Sequence, residues 1–291
     1  MILLTMPQLF DFDAPTDQYA VMGNPIAHSK SPRIHALFAK QTGQRLIYTA
    51  IQVNHGGFQQ ALGNFQASGG KGLNVTVPFK REAWERVSER SARALRAGAV
   101  NTIAMRADGL LFGDNTDGVG LIRDLRDNCG ATITGQRVLI LGAGGAVRGI
   151  LGLLLEERPA LLVVANRTAD RATELALEFA TLGPVSGCGF EALPGKQFDL
   201  LINGTSASLQ GDLPPLPDDL MTPGAFCYDL MYSAQPTAFM RWAHQRGAAN
   251  VLDGLGMLVE QAAEAFFVWR GVRPHTAPVI AQLRTEMSKT A

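Results

Sequence analysis

Two residues in the first half of the chain have the types and placement to move a proton, Lys80 and Asp117. Lys80 closes the segment GLNVTVPFK and Asp117 lies in GDNTDG, so both stand where strands are predicted to end. Oxidation of a carbinol carbon needs a group that takes the hydroxyl proton, and a partly buried lysine held by a carboxylate can do so. Burial favours the neutral amine and the carboxylate favours the ammonium, so the spacing leaves open which of the pair carries the proton. An isolated lysine is ordinarily a solvated side chain. What sets Lys80 apart is its company.

That company is hydroxyls and amides. Ser29 and Ser31 flank Lys30 in GNPIAHSKSP, Asn74 and Thr76 precede Lys80, Asn101 follows the next strand, and Asn115 and Thr116 precede Asp117. Such a lining suits a small polyhydroxylated acid better than a flat apolar ligand, because each buried ligand hydroxyl needs a partner. Plainer readings compete. Ser31 before Pro32 works as a helix N-cap, Asn101 can satisfy a turn, and Gln261 can sit at a helix edge. His28, His35 and Cys227 read as structural.

The second half carries a different signal, QRVLILGAGGAVRGILGLLLEE. Val138 to Leu141 is a continuous apolar run, as in a strand buried on both faces, and Gly142, Ala143, Gly144, Gly145 and Ala146 form a turn into an apolar helix. Such a turn lets backbone N–H groups approach a pyrophosphate at the helix N-terminus. The third small position of the usual pattern is Val147 here. At the end of the next strand, where an acid would take a ribose 2′-hydroxyl, stand Asn166, Arg167 and Thr168, 24 residues after Gly142 and followed by Arg171. An arginine fork with hydroxyl and amide donors suits a 2′-phosphate, which points to NADP(H). The plainer reading makes Arg167 a solvated charge and Thr168 a helix cap.

The elements that must position these residues alternate. Tyr19 to Met22 is a predicted strand; SPRIHALFAKQTG is a helix capped by Ser31 and stopped at Gly43; Leu46 to Ile51 is a strand. Phe58, Ala61, Leu62 and Phe65 share a helix face, and residues 73–77 form a strand with Leu73, Val75 and Val77 toward the core and Asn74 and Thr76 opposite. Ala99 to Ala104 and Leu110 to Gly113 form a hairpin through Arg106 to Gly109, closed by Asn115 to Asp117. After the glycine turn come a strand at Leu161 to Ala165, a helix carrying Ala172, Leu175, Ala176 and Phe179, and strands near 200–202, 226–230 and 251–252. Residues 256–287 read as helical, with Met257, Leu258, Ala262, Ala265, Phe266 and Trp269 on one stripe. This is the pattern of mostly parallel sheets covered by helices.

A length of 291 residues favours two domains over one core. Lys plus Arg equal Asp plus Glu at 26 each, which supplies no basic field for nucleic acid. Cys129, Cys188 and Cys227 offer neither a disulfide framework nor a zinc spacing, and read as buried thiols of a reducing cytoplasm. The opening MILLTMPQLFDFDAP fits neither a signal peptide nor a membrane span, and reads as a loose tail.

GNPIAHSKSP, GLNVTVPFK, GAVNT, GDNTDG, GAGGA, NRT and DGLGMLVEQA, in this order, closely resemble the shikimate dehydrogenase family from about Tyr19 onward. The resemblance implies an N-terminal α/β substrate domain with a mostly parallel sheet, a C-terminal Rossmann-like NADP domain, and an active site in the cleft between them. It places residues 1–118 in the first, completed by the helices of 257–291, and 119–256 in the second. It implies NADP-linked interconversion of 3-dehydroshikimate and shikimate, with Lys80 and Asp117 catalytic and Ser29, Ser31, Asn74, Thr76, Asn101, Tyr232 and Gln261 on the substrate. Gly142 to Ala146 take the pyrophosphate, Asn166, Arg167, Thr168 and Arg171 the adenosine phosphate, and Leu230 and Gly254 lie near the nicotinamide. Two positions depart from the family, Gly204 in place of the usual Ala and Val147 in place of a common Ser. Two alternatives are a quinate/shikimate enzyme of broader substrate and cofactor use, and a non-catalytic NADP-binding sensor. The implied partner is a small molecule, in a cytoplasmic monomer or homodimer.

Overall fold

The computed structural model of the chain describes residues 16–205, 207 and 211–289. The opening tail, 1–15, lies outside the described residues. Among the described residues, twelve strands form two six-stranded sheets. The first contains β1 (Asp17–Gly23), β2 (Leu46–Gln52), β3 (Gly70–Val75), β4 (Glu89–Arg90), β5 (Thr102–Met105) and β6 (Leu111–Asp114), in the order β2-β1-β3-β5-β6-β4. Its pairs are parallel except at the β3–β5 and β5–β6 ladders. The second contains β7 (Arg137–Leu141), β8 (Leu161–Ala165), β9 (Val185–Cys188), β10 (Phe198–Asn203), β11 (Met221–Asp229) and β12 (Asn250–Asp253), in the order β12-β11-β10-β7-β8-β9, with parallel pairs throughout.

Helices α1 (Ser31–Thr42), α2 (Phe58–Ala67), α3 (Lys80–Arg86), α4 (Ala92–Ala97) and α5 (Asp117–Arg123) belong to the first half of the chain. Helices α6 (Gly145–Glu156), α7 (Ala169–Phe179) and α8 (Ala238–Gln245) follow, and α9 (Leu255–Arg270) and α10 (Ala277–Ser288) close it. The expected double burial of β7 is seen directly. Val138 and Ile140 enter the core with Val147 and Ile150 of α6, while Leu139 and Leu141 enter the opposite core with Phe198 and Phe239. The pattern left open where the last helical segment packs. Val259, Ala262 and Phe266 of α9 and Val279 and Leu283 of α10 share a core with Ile34 and Phe38 of α1, over the first sheet.

Several expectations are corrected. The segment predicted as one helix is two, because Gly271 at φ +66° ends α9. Strand β3 stops at Val75, and Val77 is 61% exposed rather than in the core. Pro78 has no N–H to continue the ladder, and a turn forms instead, with the Phe79 N–H donating to the Thr76 carbonyl at 3.0 Å. Asn115 to Asp117 do not close the hairpin but lead into α5. Ser31 lies inside α1 rather than capping it; the residue before the helix is Lys30, and Ser29 Oγ accepts from the Ser31 N–H at 3.3 Å. Of the three cysteines only Cys227 is buried.

Candidate active site

Both sheets present strand ends at a topological switch point, where open α/β sheets bind ligands. In the first, β1 and β3 run parallel side by side, and the chain leaving them carries GNPIAHSKSP and TVPFK. In the second, β7 and β10 are neighbours, and Gly142 and Gly204 leave their ends together. Helix α5 sits between α9 and α6, and two glycines allow it. A Cβ on Gly120 would fall 2.8 Å from the Met257 carbonyl oxygen, and one on Gly118 would fall 3.0 Å from that of Gly149. Asp117, the first residue of α5, is thereby set against both halves.

A cavity of about 790 Å³ opens there. Its walls include every residue expected to meet substrate: Ser29, Ser31, Asn74, Thr76, Lys80, Asn101, Asp117, Tyr232 and Gln261. Leu230 and Gly254 line it too. Lys80 Nζ donates to Asp117 Oδ2 at 2.5 Å, with 19% and 9% of the two side chains exposed. Asn101 Nδ2 donates to Asp117 Oδ1 at 2.7 Å, so both carboxylate oxygens are held. The Thr116 N–H donates to Asn101 Oδ1 at 2.9 Å. Gln261 Nε2 donates to the Leu258 carbonyl at 2.8 Å, anchoring that side chain at the cavity wall. Burial, and then Asp253, pushes the Tyr232 hydroxyl up, which keeps it a protonated donor.

The nucleotide residues lie apart from this cavity but connect to it. A Cβ on Gly142 would fall 3.1 Å from the Gly204 oxygen, and one on Gly204 would fall 3.4 Å from Leu230 Cδ1. Gly142 has φ +102°, a conformation glycine adopts without strain. Gly144 and Gly145 are exposed, and among the described residues nothing beyond their own stretch of chain lies within 4 Å of where a Cβ would stand. No side chain caps the N-terminus of α6. An open helix N-terminus reached through glycines fits a pyrophosphate. Arg167 and Arg171 are exposed at the end of β8 and the start of α7, and neither makes an ion pair among the described residues. Thr168 precedes α7 but makes no side-chain cap, and Asn166 Nδ2 donates to its carbonyl at 2.9 Å. This end of β8 therefore fits a phosphorylated ribose.

Three family profiles match the chain. "Shikimate dehydrogenase substrate binding domain" covers residues 21–103, "Shikimate / quinate 5-dehydrogenase" residues 125–210, and "Shikimate 5'-dehydrogenase C-terminal domain" residues 254–284. A shikimate dehydrogenase (NADP(+)) of Methylococcus capsulatus is 61% identical over 93% of this chain and 97% of its own length. The chain belongs to the shikimate dehydrogenase family. A second member, the shikimate dehydrogenase (NADP(+)) of Alkalilimnicola ehrlichii, is 62% identical over 93% of this chain and 100% of its own. Among solved members, shikimate 5-dehydrogenase from Thermus thermophilus in complex with NADP(H) and shikimate superposes with a TM-score of 0.83 at 33% identity, covering 93% of this chain and 99% of that one.

Within this shikimate dehydrogenase fold, the residue-by-residue reading missed three side chains. The Tyr48 hydroxyl donates to Asn74 Oδ1 at 2.7 Å, and Thr102 Oγ1 lies between the Asn74 and Asn101 amides. His28, read as structural, is exposed and lines the cavity. His35, also read as structural, is buried and stacked on Tyr48 at 4.1 Å. Tyr48 and Thr102 look like ordinary strand residues in the sequence. Their one signal was adjacency, Thr102 following Asn101 in GAVNT.

Proposed function

We propose that the chain is an NADP-dependent shikimate dehydrogenase, reversibly reducing 3-dehydroshikimate to shikimate. The observation that carries this reading is the Lys80–Asp117 pair, 2.5 Å apart on the wall of a hydroxyl- and amide-lined cavity whose Leu230 reaches Gly204, the neighbour of Gly142. Residues 1–118 with 257–291 form the substrate-binding part in this reading, and 119–256 the NADP-binding part. The ligand is a small molecule, and the setting a cytoplasmic monomer or homodimer that takes neither nucleic acid nor membrane. No helix among the described residues is long and apolar enough to cross a membrane.

Bound NADP(H) supplies the site that accepts or returns the hydride. As the hydride leaves the carbinol carbon with its electron pair, the hydroxyl proton leaves the oxygen and the C=O bond forms. Lys80 and Asp117 take and return that proton as a pair, Asn101 holding the carboxylate on its far oxygen. Ser29 Oγ accepts from the Ser31 N–H, which leaves its own proton to donate to a substrate carboxylate. Both protons on Asn74 Nδ2 go to protein acceptors, Asn101 O and Thr102 Oγ1, so Asn74 offers a substrate hydroxyl only its oxygen. Tyr232 and Gln261 close the remaining walls. Arg167 and Arg171, with Asn166 and Thr168, receive the 2′-phosphate, while Gly142 to Ala146 cradle the pyrophosphate.

The test is absorbance of the reduced nicotinamide, with purified protein given shikimate or quinate and NADP+ or NAD+ in four combinations. Reduction with shikimate and NADP+ alone is expected. Comparable rates with quinate or NAD+ move the chain to the broader-specificity alternative, and silence in all four removes catalysis and leaves the sensor.

A further inference from the structure

The two cavity asparagines have amides whose orientation is decided by backbone groups. Asn74 presents Nδ2 to the Asn101 carbonyl oxygen at 3.1 Å, an atom that can only accept. Asn101 presents Oδ1 to the Thr116 N–H at 2.9 Å, a group that can only donate. Between them stands Thr102 Oγ1, 3.1 Å from Asn74 Nδ2 and 2.9 Å from Asn101 Oδ1. A hydroxyl has one proton to give. Facing a donor on one side and an acceptor on the other, it must accept from Asn74 and donate to Asn101. Thr116 Oγ1, at 3.4 Å, is the more distant claimant for the same proton.

The direction extends both ways. Tyr48 faces Asn74 Oδ1, which can only accept, so its hydroxyl donates there at 2.7 Å. Asn101 Nδ2 donates to Asp117 Oδ1 at 2.7 Å. From Tyr48 through Asn74, Thr102 and Asn101 to Asp117, each donor points toward the carboxylate, and Asp117 Oδ2 then accepts from Lys80. Hydrogen bonds aligned head to tail in a dry interior polarise one another. The middle link is fully buried, at 0% exposed, and does not line the cavity.

We propose that Thr102 is a positioning residue for the dehydrogenase reaction, its single hydroxyl bridging two asparagines that the backbone has already oriented, in the hydrogen-bond run that ends on Asp117. It touches no substrate atom. It acts by tying the Asn74 amide to that of Asn101, which braces Asn101 Nδ2 on the carboxylate and presents Asp117 to Lys80 as an acceptor in one geometry. The inference rests on the proposed function for its effect on turnover, but not for the hydrogen bonds themselves. A purely packing role for this β-branched strand residue predicts that Val serves as well as Thr.

The experiment compares wild type, Thr102→Val and Thr102→Ser in two readouts. In steady-state kinetics Thr102→Val is expected to lower kcat about tenfold, the scale of one buried hydrogen bond lost without replacement. KM for NADP+ stays within about twofold, and Thr102→Ser recovers most of the lost turnover. Without any ligand, the side-chain amide resonances of Asn74 and Asn101 in 15N-labelled protein are expected to shift and exchange faster with water in Thr102→Val, and to stay in place in Thr102→Ser. Unchanged kcat or unchanged amide resonances in Thr102→Val overturns the proposal. A silent wild type sinks the proposed function instead, and the amide readout then decides the relay by itself. Should Thr102→Val not fold, Thr102→Ala is read against Thr102→Ser, and equal amide exchange in those two overturns it.

Discussion

Around the cavity, side chains hold one another. Lys80, Asp117, Asn101, Thr102, Asn74 and Tyr48 are joined by hydrogen bonds of 2.5 to 3.1 Å. Around the glycine turn the groups that would meet a nucleotide stand open: Gly144, Gly145, Arg167 and Arg171 are exposed, and neither of these two arginines makes an ion pair among the described residues. The difference follows the chemistry each half serves. Proton transfer needs groups fixed to within a fraction of an ångström before the substrate arrives, because misplacement costs rate directly. A dinucleotide brings its own charges and is met by backbone N–H groups and an exposed cation, so the site can stay open until it binds. Mutations in the first half should therefore act on kcat, and those in the second on KM for the nucleotide.

The largest expected contrast is in acid. His35 packs beneath the cavity, 0% exposed, and its ring nitrogens make no hydrogen bond among the described residues. Burial, weakly opposed by Asn74, pushes it down from 6.5 to about 3. The folded state thus holds His35 neutral, while the unfolded chain binds a proton below about pH 6.5. This contribution is fully present above pH 6.5 and is lost progressively as the pH falls toward 3, at about 1.4 kcal/mol per unit. Denaturant melts between pH 7 and 4.5 should show that slope, flattened in His35→Phe. A wild-type slope no steeper than the variant's removes His35 from the account.

Next is the proton pair. Lys80→Ala should lower kcat about a hundredfold or more, the range of general acid–base catalysis, with NADP+ binding near normal. Retained turnover would take Lys80 out of its role. Arg167→Ala tests the other half. It should raise KM for NADP+ about tenfold, as expected for one charge-assisted contact to phosphate, and leave kcat and KM for shikimate alone. An equal effect with NAD+ would show that Arg167 does not read the 2′-phosphate.

The two halves also differed in how plainly the sequence announced them. Val138 to Leu141 and GAGGA were legible because a doubly buried strand and a glycine turn are local patterns, and β7 and α6 follow them. The strand through Leu73 and Val75 was legible too, but its end at Val75 was decided by the turn at Thr76 to Phe79. Helix α5 was hidden. DGVG holds two glycines, which weaken a helix in isolation, and only the close approach of α6 and α9 explains them. Tyr48 was out of reach for a different reason, since its hydroxyl spans from β2 past β1 to Asn74 on β3. Spacing along a chain cannot reveal a contact between strands whose order is not yet known.

The smallest effect concerns Gly204 and Val147, the two positions where the resemblance leads one to expect Ala and Ser. Gly204 and Val147 look independent in the sequence, yet a Cβ on Gly204 would fall 2.5 Å from Val147 Cγ2. It would also lie 3.2 Å from the Leu141 oxygen, so it has no free direction in which to move. Val147 is fully buried in the first turn of α6, and a β-branched side chain in a helix has essentially one rotamer. An alanine at 204 must then displace either the first turn of α6 or the end of β10, both of which border the pyrophosphate turn. Gly204→Ala should raise KM for NADP+ about threefold to fivefold and leave KM for shikimate unchanged, since the cavity's own hydrogen bonds are not touched. Val147→Ser removes the methyl that collides. The double variant Gly204→Ala/Val147→Ser should therefore recover most of the loss, a coupling that a double-mutant cycle measures directly. Strict additivity would mean that the two departures are unrelated and that the turn absorbs the extra methyl without moving the helix.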